Sequence, residues 1–553
     1  MKKALTILTS VVVPTVLLAP GAISAADAAT SSTAHHRATQ GHHKATGQYV
    51  PPPLTWGTCP TTRLKAAGAQ CAMLTVPLDH ARPKGPTIKI AVSRILHTNA
   101  DYKGMIAVNP GGPGGSGLGL ATLGRAVPNG VGAKFDWYGF DPRGVGRSEP
   151  ALSCNPDYPG SGWNRPDYVP TNPADKAWWL RTAKQYTVDC AHSSAKKLLP
   201  YLRTEQVAAD LDTLRVAVGQ KKLNYYGFSY GTYLGQVYAT NYPKHVGRMV
   251  WDGVVDAKRA FYQSNLDQDV WFDKNIDLYF NWLAAHNDAY GLGTDGKAIR
   301  AGYYQALARL KQNPTAGGKI GPDELADALQ SAAYYVYDWD TIGHIYADFI
   351  KTGDGTGLLD LYSGPGDDNG FAIYAGVQCT DAPWPGWKKT ERDSWRLHAQ
   401  HPFLTWGNTW FNAPCLTWPA ASGKAVKAHG THGLGRILLI SESSDAATPF
   451  SGALATRKAF KSSYLIEGVG GTTHAGSLSG VACTDDTVAT YLDTGKLPAR
   501  KAGNRADQKC DPVPPPTATV PTAAQQRSAV PQSTDPMPAL ARQTLEEAQL
   551  IGR

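Results

Sequence analysis

Apolar positions along this chain follow two alternating rhythms. Short runs rich in apolar and β-branched residues, at 71–78, 87–96, 105–109, 135–140, 222–226, 248–251, 436–440 and 464–466, read as strands. Between some of them lie segments with apolar residues at helical spacing, such as 205–218 and 232–239. The first two runs predict an antiparallel pair, and the later alternation of strand and helix predicts a mostly parallel central sheet with flanking helices. The stretch 257–426 breaks this rhythm. It reads as mainly helical and holds nine of the fifteen tryptophans, with clusters such as Tyr334-Tyr335-Val336-Tyr337-Asp338-Trp339 and Trp384-Pro385-Gly386-Trp387. It predicts a largely helical cap inserted into the sheet domain, its aromatics forming either the cap's own core or an underside that covers a cleft.

The strand at 222–226 runs into Gly227-Phe228-Ser229-Tyr230-Gly231, and a helical pattern follows at once. Small residues two positions either side of Ser229 permit a tight strand-to-helix turn that lifts a hydroxyl clear of the backbone. The N-terminus of the following helix is then aimed at that hydroxyl, where it favours developing negative charge. A serine nucleophile needs a base, and the base an orienting carboxylate, each on a loop after a sheet strand. After 436–440 comes Ser441-Glu442-Ser443-Ser444-Asp445, which offers Asp445 as the acid, with Glu442 and Asp252 as alternatives. After 464–466 comes a loop of small residues, Gly468-Val469-Gly470-Gly471-Thr472-Thr473-His474, which offers His474 as the base.

An oxyanion hole needs backbone N–H groups that can approach substrate closely. The amide of Tyr230 and that of Gly112, in the Gly111-Gly112-Pro113-Gly114 loop after the strand at 105–109, are the candidates. That loop lacks both the G-K-[ST] ending of a phosphate loop and the spacing of a dinucleotide fingerprint.

Lys and Arg outnumber Asp and Glu by 54 to 45, but the excess is diffuse, and no basic stripe would follow a phosphate backbone. Nucleic acid is therefore not an expected partner. The N-terminus reads as an export signal over 1–28: Lys2-Lys3, an apolar run at 4–18, then Ala26-Asp27-Ala28. Later runs fall short of membrane-spanning length, so the expected product is secreted, extracellular and free of the membrane after signal removal. Eight cysteines fit an oxidising destination, and their spacing suggests the couples 59–71, 154–190, 379–415 and 483–510. No C-x-x-C or Cys/His cluster suggests a metal, and the chemistry above needs no cofactor. A polar spacer or pro-segment, with His35-His36 and His42-His43, is expected over 29–53. The sheet domain then occupies 54–256 and 427–510, the cap 257–426, and a Pro-rich disordered tail 511–553.

Taken together, several motifs resemble the secreted tripeptidyl aminopeptidases of actinobacteria, in the proline iminopeptidase branch of the α/β-hydrolase fold. They are Asn109-Pro110-Gly111-Gly112-Pro113-Gly114-Gly115-Ser116-Gly117, Asp141-Pro142-Arg143-Gly144-Val145-Gly146-Arg147-Ser148 and Tyr226-Gly227-Phe228-Ser229-Tyr230-Gly231-Thr232. Asp252-Gly253-Val254-Val255-Asp256, Asp445-Ala446-Ala447-Thr448-Pro449 and His474…Cys483 extend the resemblance, which covers about 54–510. It implies Ser229 as nucleophile, Asp445 as acid, His474 as base, Gly112 and Tyr230 at the oxyanion hole, and a structural role for the loop from Asp141. Pro110 departs from the histidine usual in that branch, and Thr472-Thr473-His474-Ala475 from the glycine more often found beside the base. Both departures bear on specificity rather than on the triad.

The implied activity is serine exopeptidase release of short peptides, tripeptides above all, from free N-termini of peptides or proteins. Such an enzyme needs a carboxylate to read the substrate α-ammonium; Glu205, Asp340 and Asp381 are the candidates in or near cap-associated segments. The same triad would also serve a secreted carboxylesterase or lactonase, and a non-catalytic binding protein on a hydrolase fold is a third reading. Oligomeric state is left open.

Overall fold

The computed structural model describes residues 49–158, 165–362 and 368–520; the leader expected at 1–28 and most of the spacer after it lie outside them. Ten strands form one sheet: β1 (Gly57–Thr58), β2 (Gln70–Pro77), β3 (Thr87–Ile95), β4 (Met105–Asn109), β5 (Asp136–Phe140), β6 (Leu223–Phe228), β7 (Val246–Asp252), β8 (Ile437–Glu442), β9 (Ser463–Gly468) and β10 (Gln508–Cys510). Their spatial order is β1-β2-β3-β5-β4-β6-β7-β8-β9-β10. The β2–β3 pair is antiparallel, as the first two apolar runs predict, and the β1–β2 and β3–β5 pairs are antiparallel as well. Every pair from β5 to β10 is parallel. This is the α/β-hydrolase arrangement that the strand–helix alternation and the resemblance imply.

The central strands are apolar throughout because both sheet faces are covered. Alternate side chains feed two separate cores. Ile106, Val108, Tyr226, Phe228, Val250, Leu438, Ile440 and Ile466 join the core that continues into the helical insertion, through Phe272, Ile276, Tyr279, Trp339 and Tyr346. Met105, Ala107, Leu223, Tyr225, Met249, Trp251, Ile437, Leu439 and Leu465 face the opposite core. Each fully buried aliphatic side chain here contributes about 1.5–3 kcal/mol, so a one-residue slip of a central strand is strongly disfavoured.

Between β7 and β8 the chain is helical. Its longest elements are Tyr262–Ala285, Gly296–Gln312, Pro322–Tyr334, Trp339–Thr352 and Asp368–Asp381. Both readings of its aromatics hold for different residues. Tyr279, Trp282 and Trp339 pack on one another inside the insertion, whereas Tyr334 and Tyr335 lie against the His474 ring. A second excursion, between β5 and β6, adds the helix Pro173–His192, capped by the Asn172 side chain. Its Trp179 ring stacks on Trp410 of the insertion at 5.6 Å and 9°.

Disulfides join Cys59–Cys71, Cys154–Cys190, Cys379–Cys415 and Cys483–Cys510, the four couples suggested by spacing. The last one ties down β10, a three-residue polar edge strand with no apolar signal of its own.

Residues 511–520 depart from the disorder that their composition suggests. Val513 is buried and its N–H donates to Glu442, while the Thr519 N–H and hydroxyl both donate to Asp340. The segment is held mainly by backbone donors, which composition does not report. Among the described residues, no helix is long and apolar enough to cross a membrane.

Candidate active site

β6 delivers Ser229 to the carboxyl end of the sheet. The serine adopts φ 54°, ψ −127°, and the helix Tyr230–Asn241 starts at the next residue. This left-handed conformation is costly for a residue with a Cβ and is tolerated where the surroundings impose it. Here they do: the Ser229 N–H donates to the Asp252 carbonyl at the end of β7, and the Thr232 hydroxyl donates to the Ser229 carbonyl. A Cβ on Gly231 would fall 2.7 Å from the Asn109 carbonyl oxygen, so only glycine lets the new helix lie against the end of β4. A Cβ on Gly111 would fall 2.8 Å from that of Ser229, which places the glycine loop directly against the serine.

The loops after β8 and β9 carry Asp445 and His474. His474 Nδ1 lies 2.8 Å from Asp445 Oδ2 and 3.0 Å from Oδ1; both residues are buried. Thr448, three residues beyond Asp445, donates its N–H to Oδ1 and its hydroxyl to Oδ2, at 2.9 and 2.7 Å. The carboxylate is thereby locked in orientation, and it fixes the imidazole with Nδ1–H toward Asp445 and Nε2 open to take a proton. His474 Cε1 sits over Gly253, immediately after β7, where a Cβ would lie 2.8 Å from it. The ring therefore occupies the gap between the β6 and β8 ends.

Of the three carboxyls weighed as the acid, Asp445 alone touches the imidazole. The other two anchor the loop that carries it. Glu442 Oε2 accepts the Thr473 N–H at 2.6 Å, and burial pushes its carboxyl up to about 8. Asp252 Oδ2 accepts the Ser477 N–H at 2.8 Å and the Ser477 hydroxyl, and burial pushes it up to about 6. Tyr334 closes the site from the insertion: its carbonyl accepts the His474 N–H at 3.0 Å, and its ring meets the imidazole edge-on at 5.8 Å.

Gly112, Ser229 and Tyr230 line one cavity that is partly open to solvent. Its walls include 254–256 after β7, Arg259, Phe261, Ser264, Asn265 and Gln268 of the insertion, Gln378, and 447–449 with Ser451 and Gly452. The Asp141 loop is held to the end of the glycine loop. Asp141 accepts from the Ser116 hydroxyl and from the Gly117 and Arg147 N–H groups, while Arg143 forks onto Asp210 and caps the Pro77, Leu78 and Tyr201 carbonyls.

The three acids proposed from sequence to read an ammonium are absent from this cavity. Glu205 pairs with Arg203 in the first turn of the helix Thr204–Ala217. Asp340 accepts from Tyr290 and Thr519, with His344 alongside; these partners outweigh burial and hold it down to about 2. Asp381 accepts the Thr204 N–H and hydroxyl at 2.8 and 2.5 Å, and burial pushes it up to about 7. Thr204 Oγ1 lies 2.6 Å from the Tyr230 hydroxyl, so Asp381 joins the insertion to the residue after Ser229. Each acid is committed to an internal partner that sequence position could not reveal. The charged groups that do line the cavity are Asp256, Arg259 and Asp267. Among these only Asp256 left a trace in sequence, as the last residue of the Asp252-Gly253-Val254-Val255-Asp256 motif.

Comparison with known proteins agrees with this geometry. Residues 105–344 match the model of the alpha/beta hydrolase fold, and residues 401–529 that of the TAP-like protein family. The tripeptidyl aminopeptidase of Streptomyces lividans is 39% identical over 463 residues, 81% of this chain and 86% of that protein. Serine protease Hip1 of Mycobacterium tuberculosis is 30% identical over 479 residues, 81% and 90% of the two chains. Carboxylesterase B of the same species is 28% identical over 475 residues, 81% and 89%. The chain belongs to the tripeptidyl aminopeptidase family, built on the α/β-hydrolase fold.

Proposed function

We propose that this protein is a secreted serine exopeptidase that removes short peptides, tripeptides above all, from free N-termini, with Ser229, His474 and Asp445 as its triad. The observation that carries the reading is the His474 Nδ1–Asp445 contact at 2.8 Å beside a serine held at φ 54°. A locked, buried acid–base pair next to a strained nucleophile turn is the arrangement acyl transfer requires. The likeness to the tripeptidyl aminopeptidase of Streptomyces lividans supports the peptide substrate class. Four disulfides support an oxidising, extracellular destination.

In the reaction, His474 Nε2 takes the Ser229 proton as Oγ bonds to the scissile carbonyl carbon. The oxyanion is received by the Gly112 and Tyr230 amides, each such donor being worth about 10²–10³ in kcat. As the C–N bond breaks, the leaving amine takes the proton from His474. Water, deprotonated by the same base, then attacks the acyl-enzyme ester and frees the serine.

The test compares a tripeptide anilide with a free N-terminus, its N-acetylated twin and a short acyl ester, using the wild type and Ser229→Ala. Cleavage of the free tripeptide, lost in the variant, is the expected result. Ester turnover without anilide cleavage would make the protein an esterase on the same scaffold.

A further inference from the structure

We propose that the carboxylate of Asp256 is the acceptor for the substrate's free α-ammonium group. The assignment rests on the aminopeptidase reading and supplies the specificity residue that reading lacks. Three charged side chains line the cavity that holds Ser229: Asp256, Arg259 and Asp267. Two of them satisfy each other. Arg259 forks onto Asp267, Nε to Oδ2 and Nη2 to Oδ1, so neither charge is available without breaking a bidentate pair.

Asp256 is different. Its Oδ1 accepts the Lys258 N–H at 2.9 Å, its Oδ2 accepts no hydrogen bond, and it forms no ion pair among the described residues. The carboxyl is half-buried, and desolvation raises it above its ordinary range even though Arg259 and Lys258 stand near enough to oppose the shift; neither side chain is bonded to it. With the other two charges cancelled, the cavity carries one net negative charge, and Asp256 supplies it. An ammonium arriving there regains for the carboxylate what burial removed.

The placement suits a ruler. Asp256 lies four residues past the end of β7, the strand paired with β6, and its backbone packs on Gly452 at the start of the helix Phe450–Ala459. Its position relative to Ser229 is thus set by two adjacent strands of the sheet and not by the helical insertion. In the same cavity, Asn265 and Gln378 are joined amide to amide at 2.9 Å and supply neutral hydrogen-bonding groups for a peptide backbone.

The test measures the ratio of kcat/KM for a free tripeptide anilide to that for its N-acetylated twin, in the wild type and in Asp256→Asn. Labelling of Ser229 by a small fluorophosphonate, which has no amine, reports whether the variant is folded. The ratio is expected to fall about 10- to 100-fold, the range of a lost hydrogen bond to a charged group. An unchanged ratio in folded D256N overturns the assignment while leaving the aminopeptidase reading intact. A wild type with no preference for the free amine overturns both. Should D256N not fold, Asp267→Asn serves instead: it releases Arg259 to neutralise Asp256, and an unchanged ratio there overturns the assignment as well.

Discussion

The backbone N–H of His474 donates to the carbonyl of Tyr334 at 3.0 Å, so this histidine of the sheet domain is held by the last residue of a helix in the insertion. A second bond runs beside it, from the Val336 N–H to the Thr473 hydroxyl at 3.1 Å. The insertion therefore does more than cover the cleft; it fixes one side of the histidine loop, as Glu442 and Asp252 fix the other.

Thr473→Val tests this coupling. It preserves shape, removes the hydroxyl and leaves the buried Val336 N–H without a partner, which costs about 1–3 kcal/mol of stability. The imidazole loses one lateral constraint, and kcat is expected to fall about tenfold with little change in KM. Thermal denaturation and steady-state kinetics read the two effects separately.

Exchanging the acids separates their roles. Asp445→Asn retains the geometry but disrupts the tautomer and the charge beside the imidazole, and kcat is expected to fall about 10⁴-fold. Asp252→Asn removes a carboxylate that touches Ser477 and not the ring, so its effect on kcat should be far smaller. Equal losses in the two variants, measured on the free tripeptide anilide, would contradict the assignment.

These acids show how much of the site was legible beforehand. Ser229, Asp445 and His474 each follow an apolar strand in a loop of small residues, so local pattern and chain order point to them. The substrate acids were not legible. Asp340 and Asp381 have the same residue type and sit in the expected region, but Thr519 and Thr204 occupy them across 179 and 177 residues of chain. Asp256 stands in a visible motif, yet its freedom depends on Arg259 choosing Asp267, a choice made by packing. The helix Pro173–His192 gives little signal in sequence, because its apolar face is weak and is completed by Trp410, far along the chain.

Glu442 accepts one N–H on each oxygen, from Thr473 and Val513. Glu442→Gln must turn an amide N–H toward one of those donors. The expected cost is about 1–3 kcal/mol, with kcat reduced if the Thr473 bond is the one lost. Truncation after Cys510 removes the Val513 and Thr519 contacts instead, and should lower the melting temperature. Calorimetry of the two variants compares these effects.

Asp381 gives a pH signature. Its carboxyl is raised from 3.8 to about 7, chiefly by burial, so between those values the folded protein binds more protons than the unfolded chain. Stability is then fully present below about pH 4 and declines as pH rises through about 7. Glu442, raised from 4.5 to about 8, adds a decline in an overlapping window. Asp381→Asn retains an acceptor for the Thr204 N–H and carries no charge. Its melting temperature should vary less between pH 5 and 8 than that of the wild type, with the gain at pH 8.

The most direct measurement follows the fragments released from an unblocked decapeptide by mass spectrometry, with Ser229→Ala as the control. The account predicts stepwise loss of tripeptides from the N-terminus by the wild type, none by the variant, and none from the N-acetylated decapeptide. Internal cleavage, or release that survives in Ser229→Ala, would contradict it.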